Sequence, residues 1–300
     1  MSSPEINALG RALQIVGDHR NLAIIRGAFL GSQRFGDFQS SLDIPPAALS
    51  GRLATLVDDG IFKRVPYSTA PLRHQYRMTD TGKALWPMFV ALWTWEARWN
   101  PRTPSGRATL RHEHCNHLTR PLLGCNSCRA VAVTAQDTTA NFDDPFAGAN
   151  PPRRYRRALR SEDEETTTAI DLLGDRWSTS ILSSAFLGAH RFKDFQNLIL
   201  AIPARMLADR LDFFVQQQVL IRDPTKDGAK RMEYRLAPKG FDFFAVFATL
   251  VHWTNNSLAP NEEPPILIIH RECGQTYQPN WICNICNESL DRPAIHFRFR

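Results

Sequence analysis

The chain has 300 residues, 43% of them hydrophobic and 22% charged, which suits about two globular domains of ordinary composition. A net charge of +6 and a pI near 9.2 favour a polyanionic partner. The longest apolar stretches, such as Ile266–Ile269 and Phe241–Val251, fall far short of the ~20 residues a membrane span needs, so no membrane role is expected.

The opening MSSPEINALG has neither a basic nor an apolar leader region, which predicts a cytoplasmic location. Further along, AFLGSQRFGDFQ (Ala28–Gln39) recurs as AFLGAHRFKDFQ (Ala185–Gln196), an offset of 185 − 28 = 157. After one extra residue in the second copy the offset is 158, and Pro45, Leu49, Arg52, Arg64, Gly82 and Trp95 match Pro203, Leu207, Arg210, Arg222, Gly240 and Trp253. A period this long marks a duplicated domain. The predicted order is a first domain over 1–100, a small Cys/His knuckle over 108–133, a linker over 134–164, a second domain over 165–258 and a second knuckle over 265–300. The linker begins rich in Asp, Asn, Pro and Gly and ends basic. Its Arg153-Arg154-Tyr155-Arg156-Arg157 run reads first as a solvated linker with incidental charge, and second as an arm that enters a minor groove.

The second copy shows the domain pattern more clearly. A helix over Ala169–Leu173 is punctuated by Gly174, and Ser178–Leu187 repeats apolar residues at helical spacing. A short helix carries Phe192, Phe195 and Leu198. Ile202-Pro203 opens a third, with Met206, Leu207, Leu211 and Phe214 on its buried stripe and Pro203 just inside its start. Two β-type runs, Val219–Arg222 and Met232–Leu236, flank the turn residues of Asp223–Gly228, and one long helix from about Pro238 to Trp253 closes the copy. Three helices, a hairpin and a helix is the order of a winged helix-turn-helix. The fold class is thus mainly α with small β-hairpins, two tandem winged helices each followed by a zinc-ribbon-like knuckle.

The run LLGDRWSTSIL, RFKDFQ, IPARMLADRL, VLIRD, MEYRLAPKG and a final Trp resembles the HxlR-type transcriptional regulators, well over Ala169–Trp253 and less closely over Ala12–Trp95. Copy one departs at Asp18-His19-Arg20, where Trp is missing, and at Pro45-Pro46-Ala47, where the third helix lacks a basic residue; both copies carry Pro where the family usually has Ser. The resemblance implies a recognition helix in the major groove, a wing along the backbone and dimerisation through flanking helices. The partners implied are duplex DNA and either a second copy or an intrachain pseudo-dimer. A small-molecule effector has no identifying residues. On that template Arg205 reaches base edges, where copy one has Ala47. Arg52 and Arg210 hold phosphates or brace their helix through a local ion pair. Wing contacts fall to Arg222, Lys226, Lys230 and Arg231 in copy two, and to Arg64, Arg73 and His74 in copy one.

The six cysteines complete the reading. His112, Cys115, Cys125 and Cys128 give H-x₂-C-x₉-C-x₂-C, and His270, Cys273, Cys283 and Cys286 repeat it at 270 − 112 = 158. Two complete four-ligand patterns predict two structural Zn²⁺ sites, one per knuckle, with no open position for catalysis. His114 and His117 lie nearby, but the repeat aligns them with Glu272 and Gln275. A thiol redox pair is the competing use of Cys-x₂-Cys. No hydrolase, nucleotide-binding or zincin motif appears, so no enzyme is expected. The functional expectation is a sequence-specific DNA-binding regulator, a repressor by promoter occlusion. The alternatives are a winged-helix scaffold for another protein, or a zinc-thiol redox-sensing regulator.

Overall fold

The computed structural model describes residues 6–143, 146, 169–173, 175–199, 202–224 and 232–298. In copy one, α1 (Ala8–Val16) is capped by Asn7, which accepts the Gly10 N–H at 2.8 Å. Asp18 caps α2 (His19–Phe29) by accepting from Arg20 and Asn21. A short α3 (Phe35–Ser41) leads to α4 (Pro46–Asp58), whose first position is proline, where no N–H is needed. The wing is β1 (Phe62–Thr69) paired antiparallel with β2 (Leu72–Met78). Next come α5 (Asp80–Lys83) and α6 (Trp86–Trp99).

Copy two repeats the plan with α8 (Ala169–Leu173), α9 (Arg176–Phe186), α10 (Phe192–Leu198), α11 (Ala204–Gln216), a wing of β7 (Leu220–Pro224) and β8 (Met232–Leu236), then α12 (Pro238–Phe241) and α13 (Phe244–Trp253). Pro203 is the N-cap of α11, one place outside the expected position. The single long closing helix of the sequence reading is broken in two in both copies. The break follows a close backbone approach: a Cβ on Gly82 would lie 2.3 Å from the Ile61 carbonyl oxygen, and one on Gly240 2.2 Å from that of Val219. Only glycine lets the short helix press onto the start of the wing.

Between and after these domains lie α7 (Pro104–Arg107) and six strands: β3 (Thr109–His112), β4 (His117–Thr119), β5 (Pro121–Cys125), β6 (Thr138–Phe142), β9 (Ile266–His270) and β10 (Pro279–Cys283), with β11 (Ile295–Arg298) closing the chain. They do not form two separate ribbons. β5 pairs with β10 in a register centred on Leu123↔Trp281, residues equivalent in the two copies. β11 of copy two pairs with β3 of copy one, and β6 pairs with β9. Thr138–Phe142, expected to be linker, is therefore a strand. Its partner is remote in sequence and its composition gives no alternation, so nothing local announced it. The basic run Arg153–Arg157 lies outside the described residues.

An internal pseudo-twofold relates the copies. Trp95 Nε1 donates to the Lys239 carbonyl and Trp253 Nε1 donates to that of Thr81, both at 2.9 Å and at equivalent positions. These two tryptophans, 2% and 1% exposed, anchor the packing of α6 against α13. Asp18 and Asp175, the caps of α2 and α9, meet in a β-bridge. One continuous apolar core runs through both copies, from Leu9 and Leu22 through Phe38, Trp95 and Trp253 to Phe195 and Phe214. Among the described residues no helix is long and apolar enough to cross a membrane.

Candidate metal centres and nucleic-acid-binding helices

The exchanged strands decide how the cysteines meet. His112 and Cys115, at the end of β3 and in the turn beyond it, join Cys283 and Cys286 of copy two; Cys125 and Cys128 join His270 and Cys273. This corrects the expected grouping. The eight residues are those the repeat singles out, but each cluster takes a His-x₂-Cys half from one copy and a Cys-x₂-Cys half from the other. Antiparallel pairing of β5 with β10 carries the Cys-x₂-Cys turns across the pseudo-twofold, and sequence spacing contains no signal of that crossing.

All four half-sites share one backbone device. The residue after the second ligand has positive φ: Asn116 (57°), Arg129 (63°), Gly274 (66°) and Asn287 (60°). That left-handed residue turns the chain back on itself, and the Arg129 and Asn287 N–H groups return to the carbonyls of Cys125 and Cys283 at 2.8 and 2.9 Å.

In the first cluster Cys115 Sγ lies 3.8 Å from Cys283 Sγ, and His112 Nδ1 lies 3.6 Å from Cys115 Sγ and 3.4 Å from Cys286 Sγ. In the second, His270 Nδ1 lies 3.3 Å from Cys128 Sγ and 3.4 Å from Cys273 Sγ. A tetrahedral ion with metal–sulfur bonds of about 2.3 Å and metal–nitrogen bonds of about 2.0 Å sets edges of about 3.8 Å between sulfurs and about 3.5 Å from nitrogen to sulfur. Both clusters could hold a metal ion on those dimensions. The His112 and His270 rings are buried, and all six cysteines are free of disulfides.

The thiols are prepared unequally. Burial raises Cys283, yet the Thr119 hydroxyl and the N–H groups of Cys286 and Ile285 outweigh it and bring the thiol down to about 6. Cys125 is also lowered: burial opposes ionisation there, but N–H groups of Cys128, Ser127 and Gln278 prevail. Cys128 and Cys286 sit above the usual range in spite of N–H groups from Ala130 and Glu288, because burial and the neighbouring thiols resist a second negative charge.

The second feature is the pair of recognition helices. Arg205 stands exposed in the first turn of α11, and Ala47 is exposed at the matching place in α4. Arg210 is not on that surface. It is 5% exposed and pairs at 2.7 Å with Asp175, the cap of α9. Arg52 makes the same 2.7 Å bond to Asp18 in a more open setting. Of the two roles foreseen for these arginines, bracing is the one the geometry permits for Arg210, because a buried guanidinium cannot reach a phosphate.

On the wings, Arg64 and Arg73 are exposed, with Arg64 Nη2 3.4 Å from His74 Nδ1. Arg222 is partly engaged by Asp212 at 2.6 Å. Lys226, Lys230 and Arg231 lie outside the described residues. Each wing is tied to the turn before the short helix, through Tyr76 N–H to Gln33 and Tyr234 N–H to His190, both at 2.7 Å. The sequence reading missed Arg34, which starts α3 and covers the Tyr67 ring of the wing at 4.4 Å. Its place beside the repeated Arg-Phe pair was the available signal.

The sequence profile of the HxlR-like helix-turn-helix family matches residues 15–104 and 172–262. An uncharacterized HTH-type transcriptional regulator of Mycobacterium tuberculosis is 42% identical over 135 residues, 45% of this chain and 85% of that protein. The HTH-type transcriptional regulator YodB of Bacillus subtilis is 30% identical over 95 residues, 32% of this chain and 85% of that protein. A solved candidate transcription factor, PA1607, shares 28% identity over 43% of this chain and 92% of its own, with a TM-score of 0.38. These relatives are named as transcription regulators and not as enzymes.

Proposed function

This chain belongs to the HxlR-like helix-turn-helix family, and from that premise we propose that it is a sequence-specific duplex-DNA-binding repressor acting as a dimer within one chain. The observation that carries the reading is the internal pseudo-twofold, which presents two winged helices, each with an exposed recognition helix, in a single molecule. Each half would read one side of an imperfect palindrome, and occupancy would block a promoter. Arg205 serves as the base-reading donor of copy two, Arg64 and Arg73 as phosphate contacts of the copy-one wing, and Lys226, Lys230 and Arg231 as those of copy two. Ala47 leaves the first half-site less specified.

The metal proposed at both clusters is zinc. Three thiolates with one imidazole suit it, and a filled tetrahedron leaves no position for water, so its role is structural. Because each cluster draws on both copies, the two ions would clasp the halves of the pseudo-dimer together.

Fluorescence anisotropy on the protein's own upstream DNA and on a scrambled duplex, at two salt concentrations, tests the reading. Tighter promoter binding that survives the higher salt supports it, with Arg205→Ala weakening that binding by roughly 1–3 kcal/mol. No binding even at low salt refutes it and favours a protein-binding winged helix.

A further inference from the structure

The pseudo-twofold brings out one place where the copies differ sharply. At the C-terminal end of α2 lies a small, partly open cleft whose walls are Phe29, Trp86, Phe89, Trp93 and Phe297. Ring centroids separate by 5.2 Å for Phe29 and Phe89, 5.6 Å for Trp86 and Phe297, and 5.2 Å for Trp93 and Phe297. Arg26 lines the cleft from its exposed side, and Arg292 covers the Phe29 and Trp86 rings at 5.1 and 5.9 Å. Arg292 has no ion-pair partner among the described residues, whereas Arg26 feels the Glu96 and Asp171 carboxylates, whose attraction only partly offsets the burial that lowers it. The indole N–H groups of Trp86 and Trp93 are buried without a hydrogen-bond partner among the described residues.

The guanidinium and indole groups are donors set around the aromatic walls. The one buried acid, Glu96, is already engaged by the Ala169 N–H and by the Thr103 hydroxyl at 3.0 Å. At the place related by the pseudo-twofold, the equivalents of Arg26, Trp86, Trp93 and Glu96 are Ser183, Phe244, Val251 and Thr254 of copy two, and that of Arg292, itself in copy two, is Thr134 of copy one. That place keeps apolar bulk and lacks the indole donors and both cations. Packing alone is satisfied by the copy-two residues, so unpaired donors in copy one call for a ligand that supplies acceptors.

We propose that this cleft binds one small aromatic carboxylate per chain. The ring would enter between the aromatic walls, and the carboxylate would take a forked bond from Arg26 with the orphan indole N–H groups as further donors. The site is assembled from both copies: Ala169, Ile170 and Phe297 belong to copy two, and Phe29-Leu30 leads directly into the turn before α3. Occupancy is therefore placed to bias how the two halves sit, without any contact to DNA.

The full-length protein would be titrated calorimetrically with benzoate, salicylate and 1-naphthoate, and with the neutral isostere 1-naphthamide. The expected result is saturable binding of at least one carboxylate at one per chain. Weakening of about tenfold or more is expected for the amide and for Arg26→Gln, with the thermal melt of the variant unchanged. Trp93→Phe, which keeps a wall and removes a donor, should weaken binding less and serves if Arg26→Gln fails to fold. Absence of saturable binding for all three acids overturns the proposal, as do two equivalents per chain, or variants that fold and bind like the parent. DNA binding is not part of the readout, so the outcome is independent of the proposed operator function.

Discussion

Paired cysteine substitutions distinguish the interleaved metal clusters from two contiguous knuckles, because the two arrangements assign the same residues to different partners. Cys115 and Cys286 share a cluster here, whereas Cys115 and Cys128 are in different ones. A structural zinc site in a small domain is worth about 10–16 kcal/mol, so one of four ligands accounts for about 3 kcal/mol, or about two orders of magnitude in affinity. A chelator of intermediate strength would then strip a damaged site and spare an intact one. After dialysis against it, mass-spectrometric zinc analysis should find two ions in the parent, one in Cys115→Ser/Cys286→Ser, and none in Cys115→Ser/Cys128→Ser. Contiguous knuckles would give the reverse: none for the first pair and one for the second. Both variants lose the same number of thiols, so nonspecific damage cannot imitate the difference. The reversed order would refute the exchange of strands across the pseudo-twofold, and equal values would refute independent sites.

Three further outcomes follow from the described geometry. Arg210→Ala should cost about 3 kcal/mol in urea unfolding, since it strands the buried Asp175 carboxylate, while the more exposed Arg52→Ala should cost about 1 kcal/mol; equal costs would contradict the bracing role. Glu96 is held above the usual carboxylate range by burial, although the Ala169 N–H and Thr103 hydroxyl pull it down. Folding thus favours its protonated form, and its contribution to stability declines as pH rises from the ordinary carboxylate range toward neutrality. Glu96→Gln should lose less stability between pH 5 and 7 than the parent; identical slopes would count against the assignment. On DNA, Arg64→Ala should lower the salt slope of binding by about one without changing sequence preference, and a change confined to the cognate site would mean it reads bases instead.

The winged helices were legible because their signals are local. Apolar spacing, the punctuation at Gly174 and the proline at the head of the third helix each act within a few residues, and the duplication doubled most of these signals. The eight Cys/His residues of the two clusters were legible for the same reason. Their partition was not, because β5 meets β10 across more than a hundred residues of chain, and a symmetric duplicate offers two partners of identical spacing. The strand at Thr138–Phe142 escaped notice on the same ground, its hydrogen bonds belonging to β9. Arg210 was ambiguous because its environment is set by Asp175, thirty-five positions earlier, packed beneath the helix.

Fusion of two copies also explains why the halves differ. In a dimer of identical chains every substitution appears twice, so a residue useful at one half-site must be tolerated at the other. Relatives such as the mycobacterial regulator align with 45% of this chain while 85% of their own length is covered, so the fused chain holds two such units with freedom to diverge. The divergence is concentrated where duplication would be redundant: Ala47 against Arg205 on the recognition helices, and Arg26 and Trp93 against Ser183 and Val251 at the aromatic cleft. It is least at the centre of the junction between the copies. Trp95 and Trp253 make the same bond to opposite halves, and all four turns of the Cys/His clusters keep the left-handed conformation at the same position. The bonds at the centre of the α6–α13 packing are kept in both directions, whereas others across the same junction occur once, as Trp99 Nε1 to Asp242 does, because Ser257 stands at the position equivalent to Trp99. Symmetry is thus retained at the centre of the packing and relaxed around it.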